Sequence, residues 1–496
     1  MVKVLTVVFT VVISILGFEN IEYPDDLEYS TITSQTPTMP KHLSSIIDKS
    51  TPNPTKIVRV TDYVEEWDWY PKTEYAKIQP WNADQTIYKF YSVSIYNATT
   101  HKLIRRLPGS DIYPSYWSNI DPDIMYGIKE SGDFRIYSVE KDTTTTVAHI
   151  TNRDGKDYEV VKMGPGEGNF DKSDKYVALV AKNGQDMDVV IFNMQEYKTV
   201  HIETFNGAWG DDKSAPKYVD WVSVSQSGNF VGIMWNHNTT SETNPYKNHY
   251  GVEIYNTLDM NYLRRITKYG NHGDFGYAQD GDEVLVQFWG ETGTLNMFYL
   301  NREERVVLTD NPDFNSGGGH ISCRNLKRPG WAYVTQKGTP AQLVAVKLDK
   351  SGIVAYFGHH YSSNATYTKS PMAVPSRDGK KVMYKSDFGD STNPDEVYVF
   401  EAYRDNGSSA IENSKIVNST ISKVSVKLLN SILEISNCNN ISKISIFSTR
   451  GVLVKSLSLK GDSSQKIEMV NMPKGVYLVK IRDIEKQSQT YKVVKR

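Results

Sequence analysis

Residues Val219–Trp235 read VDWVSVSQSGNFVGIMW, His272–Trp289 read HGDFGYAQDGDEVLVQFW, and Gly318–Thr335 read GGHISCRNLKRPGWAYVT. Each copy has an alternating segment, a tight turn and a second apolar run rich in Val, Ile, Trp and Tyr, the pattern of an antiparallel hairpin. The turns are Gln226-Ser227-Gly228-Asn229, Gln279-Asp280-Gly281-Asp282 and Lys327-Arg328-Pro329-Gly330. Working outward, the same kind of turn recurs at Asn82-Ala83-Asp84-Gln85, Asn119-Ile120-Asp121-Pro122, Lys172-Ser173-Asp174-Lys175 and Arg377-Asp378-Gly379-Lys380. With Asp84, Asp121, Asp174, Gly228, Gly281, Gly330 and Gly379 as markers, the steps are 37, 53, 54, 53, 49 and 49 residues. A repeat of about 50 residues built from four short strands is what a propeller blade requires, because each blade buries its faces only against its neighbours. The expected fold class is therefore all-β, a seven-bladed β-propeller followed by a small β-sandwich C-terminal domain.

At 496 residues, 39% hydrophobic and 23% charged, the chain has room for one large all-β domain and a smaller one. A net charge of -2 without a long basic run argues against nucleic acid, which needs clustered Lys and Arg on its phosphates. The 32 Tyr and 9 Trp suit propeller packing first and sugar stacking second. Met1-Val2-Lys3 leads into an apolar run from Val4 to Leu16 closed by Gly17, too short for a comfortable span and legible as a secretory signal. No later apolar window is long enough for an integral membrane segment. Cys323 and Cys438 fall in what read as separate domains, so no disulfide is expected.

In order, the expected organisation is a signal peptide at 1–17, a flexible leader rich in Ser, Thr and Pro at 18–54, the propeller at 55–403, a linker at 404–422 and the C-terminal domain at 423–496. The seventh unit shows three clear strands, at 372–375, 381–385 and 396–400, so residues 56–60 are expected to complete it and close the ring. In the tail, strands are expected at 425–428, 433–436, 444–447, 476–481 and 491–494. The stretches Ile444-Ser445-Ile446-Phe447-Ser448-Thr449-Arg450-Gly451, Met472-Pro473-Lys474-Gly475-Val476-Tyr477-Leu478-Val479 and Lys492-Val493-Val494-Lys495-Arg496 resemble the C-terminal sorting domain of the type IX secretion system of Bacteroidota. That resemblance implies export through the outer membrane by the type IX secretion machinery, to the surface or beyond.

In a propeller, the loop after the second strand and the link between blades open on the same face. This rim collects His237, His249, Tyr250, His272, Asp274, His320, His359, His360 and Tyr361. Any one of these histidines alone reads as a satisfied turn or core residue; six on one face suggest a metal site. The expected ligands are His272, His320 and His359 or His360, with Cys323 as a further candidate. Imidazole and thiolate suit zinc, manganese would need more oxygen ligands, and calcium is the poorer match. No G-x-S-x-G, H-E-x-x-H or P-loop string occurs, which disfavours a hydrolase or zincin partner domain. Asp387, Asp390 and Asp395 read as a solvated loop.

A secreted propeller with His, Tyr and Arg on its axial face resembles the propeller polysaccharide lyases, the oligogalacturonate and ulvan lyases. Asn271-His272-Gly273-Asp274 and Gly319-His320-Ile321-Ser322-Cys323-Arg324-Asn325 are the local strings that carry the resemblance. It implies β-elimination on an acidic, uronate-containing polysaccharide, with His237 or His249 and Tyr250 as the proton-transfer groups and Arg265 on the carboxylate. Removing the proton α to a carboxylate builds charge on that carboxylate, so a cation is needed there before a strong base. Arg265, Arg324 or a metal is the candidate cation, and Trp235 and Trp289 are the candidate stacking platforms. The expected function is a secreted polysaccharide lyase acting as a monomer; the alternative is a non-catalytic surface propeller that binds glycan or protein.

Overall fold

The computed structural model describes residues 36–402 and 425–495, apart from 49–54, 63–72, 91–93, 108–111, 113, 165–166, 237–247, 310–318, 337–340 and 365 in the first stretch and 430–431, 437–440, 449–452, 460–462, 470–471, 473–474 and 484–487 in the second. The expected signal peptide, the linker and His237 lie outside the described residues. Two compact units divide the chain, Met1–Arg404 and Asp405–Arg496.

In the larger unit the described residues form seven antiparallel sheets, one for each turn marker. Sheets one to six cover 87–106, 115–149, 160–205, 219–267, 273–309 and 320–359, all four-stranded except the three-stranded first. There the bridge Trp81↔Tyr88 stands where an innermost strand would lie. Each marker turn leads from the innermost position to the second strand, and six of the turns hold one residue at left-handed φ. These are Gln85 (64°), Asp174 (57°), Gly228 (83°), Gly281 (90°), Gly330 (82°) and Gly379 (69°). Glycine adopts that conformation without steric cost, which is why the later turns repeat it and are the most legible.

Apolar faces of consecutive sheets interlock. Ile95, Trp117 and Met125 fill the space between the first and second sheets, and Trp81, Tyr88 and Phe90 meet Met383, Val397 and Val399 between the first and the seventh. The seventh sheet joins Val374–Pro375, Lys381–Ser386 and Glu396–Ala402 to Thr55–Arg59, in the register Val58↔Val399. Arg59 donates to Glu396 at 3.1 Å and Lys56 to Glu401 at 2.8 Å, so charges as well as the ladder clasp the early strand to the last. A fifth strand, Ser45–Asp48, lies inside the stretch expected to be a flexible leader. Ile46 packs on the core of the last sheets and the Asp48 carboxylate accepts the His359 amide at 2.9 Å, contacts that the Ser/Thr/Pro-rich composition conceals. Removing residues 1–60 would bare the edge of Glu396–Ala402. The shortened chain should melt lower and self-associate; a monomeric truncation with an unchanged melting temperature would refute closure by these strands.

The smaller unit has two sheets whose inward residues share a core: Leu433, Ile435 and Ile467 from one, Ile444, Ile446, Val479 and Ile481 from the other. Two of its strands, Leu453–Ser458 and Ser464–Glu468, were not expected. Their sequences, LVKSLS and SQKIE, bury too few residues to stand out from loops.

Candidate active site at the propeller axis

The innermost strands bring together side chains far apart in sequence. Asp220 is the second residue of Val219–Val224, His272 immediately precedes Gly273–Tyr277, and His320 opens His320–Ser322. Tyr367 sits in the single turn Tyr367–Lys369 ahead of the seventh sheet. Tyr75 and Lys77 come from the segment that leads into the first sheet, which hydrogen bonds tie to several blades at once. Asn169 donates to the Lys77 carbonyl at 2.9 Å, Gln79 to the Arg324 and Pro375 carbonyls at 2.8 and 3.1 Å, and the Trp117 indole to Pro80 at 2.7 Å.

Glu167 arrives on a bulge. Met163 pairs with Leu179 and Phe170 with Val177, so seven steps on the innermost strand face two on its partner. Glu167 stands within this excess, between Gly164 at φ 44° and Gly168. A Cβ on Gly168 would lie 2.5 Å from the Val222 carbonyl oxygen, so only glycine lets the bulge press on the neighbouring strand.

The result is one cluster. Lys77 Nζ lies 2.9 Å from Glu167 and 4.4 Å above the Trp221 ring. The His272 and His320 rings stack at 4.5 Å and 17°, with the edge of Tyr75 against His320 at 5.4 Å and Tyr367 tilted over it at 6.2 Å. His272 Nδ1 is 2.8 Å from the Gly319 carbonyl, an acceptor only, so Nδ1 carries the proton and Nε2 is the basic nitrogen. Burial, then the Glu167 charge, drives the Tyr75 phenol far above its usual range, so it stays protonated. Burial and Glu167 also push the Asp220 carboxyl up, against the pull of Lys77 and His272. Tyr367 is raised by burial and by the same two carboxylates, although it is 63% exposed. The cluster offers one ammonium, a carboxyl that keeps its proton above the ordinary range, an oriented imidazole and two phenols.

The sign of the Asp220 shift sets a pH test. A carboxyl whose folded pKa lies above its unfolded value destabilises the fold once it must ionise, so its penalty is absent below the unfolded pKa and grows as pH rises through the folded one. Asp220→Asn removes the ionisation. It should raise the melting temperature at neutral pH and leave it nearly unchanged near pH 3; a variant equally altered at both would contradict the shift.

The residues singled out by sequence divide into those that reach this cluster and those that do not. His272 and His320 do. His249, Tyr250 and Arg265 gather elsewhere, around the buried Glu253. Arg265 donates to the Tyr250 carbonyl at 3.0 Å and to Glu253 at 2.7 Å, also reaches the Asn248 carbonyl, and lies 3.4 Å over the Tyr250 ring. Its guanidinium is thus committed to holding this loop. Trp235 is fully buried beneath His249 and presents no face to a substrate. Trp289 is half-buried, with the Arg305 guanidinium 4.4 Å over its ring and Tyr269 at its edge. Arg324 is 5% exposed and bound to Asp274 through two bonds of 2.9 and 2.8 Å, a structural pair rather than an open cation.

The expected metal ligands do not converge. His320 lies on the innermost strand of the sixth sheet and His359 on the outermost, Val354–His359, three strand spacings or roughly 14 Å apart. His360 is fully buried, with Nε2 3.0 Å from the Gln336 carbonyl and Nδ1 accepting the Ser362 amide; burial pulls its pKa down to about 4, so it is neutral. Burial pushes the Cys323 thiol well above its ordinary range, which disfavours the thiolate a zinc site needs. The stacked rings of His272 and His320 face each other rather than a shared point. Among the described residues no group of three His, Cys, Asp or Glu could hold a metal ion. Tyr75, Lys77, Glu167, Asp220 and Tyr367 were missed, although Asp220 sits eight residues before Gly228 much as His272 and His320 precede Gly281 and Gly330.

Among solved structures, an oligogalacturonate lyase from Vibrio parahaemolyticus is similar at 10% identity and a TM-score of 0.50, covering 73% of this chain and 96% of its own. An oligogalacturonate lyase in complex with manganese is similar at 10% identity and a TM-score of 0.51 over the same shares. Such likeness establishes the fold; the residues expected here as ligands do not fit a metal like the manganese of that complex. No curated protein matches the chain. No helix among the described residues is long and apolar enough to cross a membrane. Residues 429–496 match the model of the secretion system C-terminal sorting domain, so the chain is an all-β propeller with a type IX sorting tail, directed to the cell surface or the medium.

Proposed function

We propose that the chain is a secreted polysaccharide lyase that cuts a uronate-containing glycan by β-elimination at the axial cluster. The observation that carries this reading is His272. Its Nδ1–H is fixed on the Gly319 carbonyl, which leaves Nε2 as a base on the same rim as Lys77 and Asp220. In the proposed step His272 Nε2 takes the proton α to the uronate carboxylate, the electron pair forms the ring double bond, and the glycosidic C–O bond at the β-carbon breaks. The leaving oxygen takes a proton from the exposed Tyr367 phenol. Lys77 stabilises the charge that builds on the carboxylate, the role first expected of Arg265 or Arg324. Lys77 is itself 3% exposed, so a substrate carboxylate reaches its ammonium by displacing Glu167 from it.

That same contact favours the second reading, a propeller that binds glycan without chemistry, because the one ammonium in the cluster is already paired. Ultraviolet absorbance of unsaturated uronate, followed across a panel of acidic glycans, separates the two. Absorbance growth with at least one glycan supports the lyase; binding without any unsaturated product supports the module.

A further inference from the structure

We propose that the chain carries a second, non-catalytic sugar site on its flank, a pocket between the third and fourth sheets that takes an uncharged sugar ring. The pocket has a volume of about 560 Å³, within the range of small-ligand sites. It is lined by the outermost strand of the third sheet, Lys198–Phe205, and by the stretch from Tyr255 to Tyr262 in the fourth. The axial cluster stands on innermost strands, so the two sites are separate and this proposal does not depend on the lyase reading.

One wall is a run of rings. Tyr262 meets Tyr255 at 5.7 Å, Tyr255 meets Phe205 at 5.9 Å, and Phe205 meets His249 at 5.9 Å, each edge to face. His249 in turn stacks on the buried Trp235 at 4.6 Å. Tyr262 is 53% exposed, so it offers a platform at the mouth. The C–H face of a pyranose packs on such a surface, and a chain of interlocked rings holds it rigid.

The polar groups select the ligand's charge. Glu203 and Asp259 line the pocket with the amides Asn206 and Asn261. His249 Nδ1 is 2.7 Å from Glu253. Burial alone would raise the Glu253 carboxyl, but bonds from His249, Tyr255 and Arg265 hold it below its ordinary value and ionised. Nδ1 of His249 is therefore the donor to Glu253. The nearby arginines are committed: Arg265 to Glu253 and backbone, Arg264 to the Tyr299 and Arg302 carbonyls. Among the described residues, acceptors therefore dominate the lining, and no Lys or Arg contributes to it. Hydroxyl donors on a neutral ring match this lining, whereas a uronate or a sulfate would face two carboxylates.

The test is calorimetric titration of the full chain with neutral pentaoses of glucose, xylose, mannose and galactose, alongside a uronate oligomer and an amino-sugar oligomer. At least one neutral pentaose should bind, and Tyr262→Ala should weaken it by about tenfold or more. Tyr262 is exposed enough for the variant to fold, which its melting curve checks. Whatever the wild type does to uronate glycans, cleavage or none, the variant should do equally on short soluble substrates. The proposal is overturned if no neutral pentaose binds, if Tyr262→Ala binds as tightly as the wild type, or if only a charged oligomer loses affinity in the variant.

Discussion

Replacing Lys77 by Met should reduce turnover of an acidic glycan by about 100- to 1,000-fold, the usual effect of removing one group that stabilises transition-state charge. Lys77 is the only cation placed among Glu167, Asp220, His272 and Tyr75 in the described cluster, and its Nζ is 2.9 Å from a carboxylate already. Methionine keeps the length of the side chain and its contact with the Trp221 ring, so packing is little disturbed. The loss should appear in kcat as well as in kcat/KM, since the charge on the substrate carboxylate grows during the reaction. Lys77→Arg retains the charge and should recover part of the activity. Full turnover by Lys77→Met would reduce Lys77 to a structural partner of Glu167.

The largest stability effect is expected at Arg324. Its guanidinium and the Asp274 carboxylate are both nearly inaccessible, joined by two bonds, and Arg324 also donates to the Phe275 carbonyl at 3.1 Å. Arg324→Met removes one partner and leaves Asp274 buried with backbone donors alone, from Cys323 at 2.7 Å and Phe275 at 2.9 Å. Breaking a buried pair in this way costs about 3–5 kcal/mol, read as a shift in denaturant midpoint. Combining it with Asp274→Leu should restore much of the loss, because an apolar pair carries no stranded charge. A variant that keeps its stability but loses glycan binding would return Arg324 to the substrate-binding role that the sequence suggested.

These two residues show what the sequence discloses and what it hides. The alternation and the repeated turns are local properties, so the sheets are legible from hydrophobic spacing and from the left-handed residue at Gly228, Gly281, Gly330 and Gly379. The face on which a loop opens is also local, and His272, His320, His359 and His360 do stand at strand ends of that rim. Radius is not local. Whether a rim residue reaches the axis depends on which strand of its sheet it belongs to, and that separates His320 from His359. Arg324 looked like a free cation because its partner Asp274 lies fifty residues away. Lys77 and Tyr75 stand in TEYAKIQPW, which does not alternate, and Glu167 stands in GPGEGN, which reads as an ordinary turn. Their roles depend on tertiary hydrogen bonds and on a glycine-flanked bulge.

The most direct test of the axial site as a catalytic centre is the rate of unsaturated-uronate formation by His272→Gln beside the wild type. The glutamine amide can still donate to the Gly319 carbonyl but has no basic nitrogen to offer. The account predicts steady product from the wild type on at least one uronate glycan and a rate at least about 100-fold lower in the variant, with matching melting curves. Equal rates in the two proteins, or no unsaturated product from the wild type on any such glycan, would contradict it.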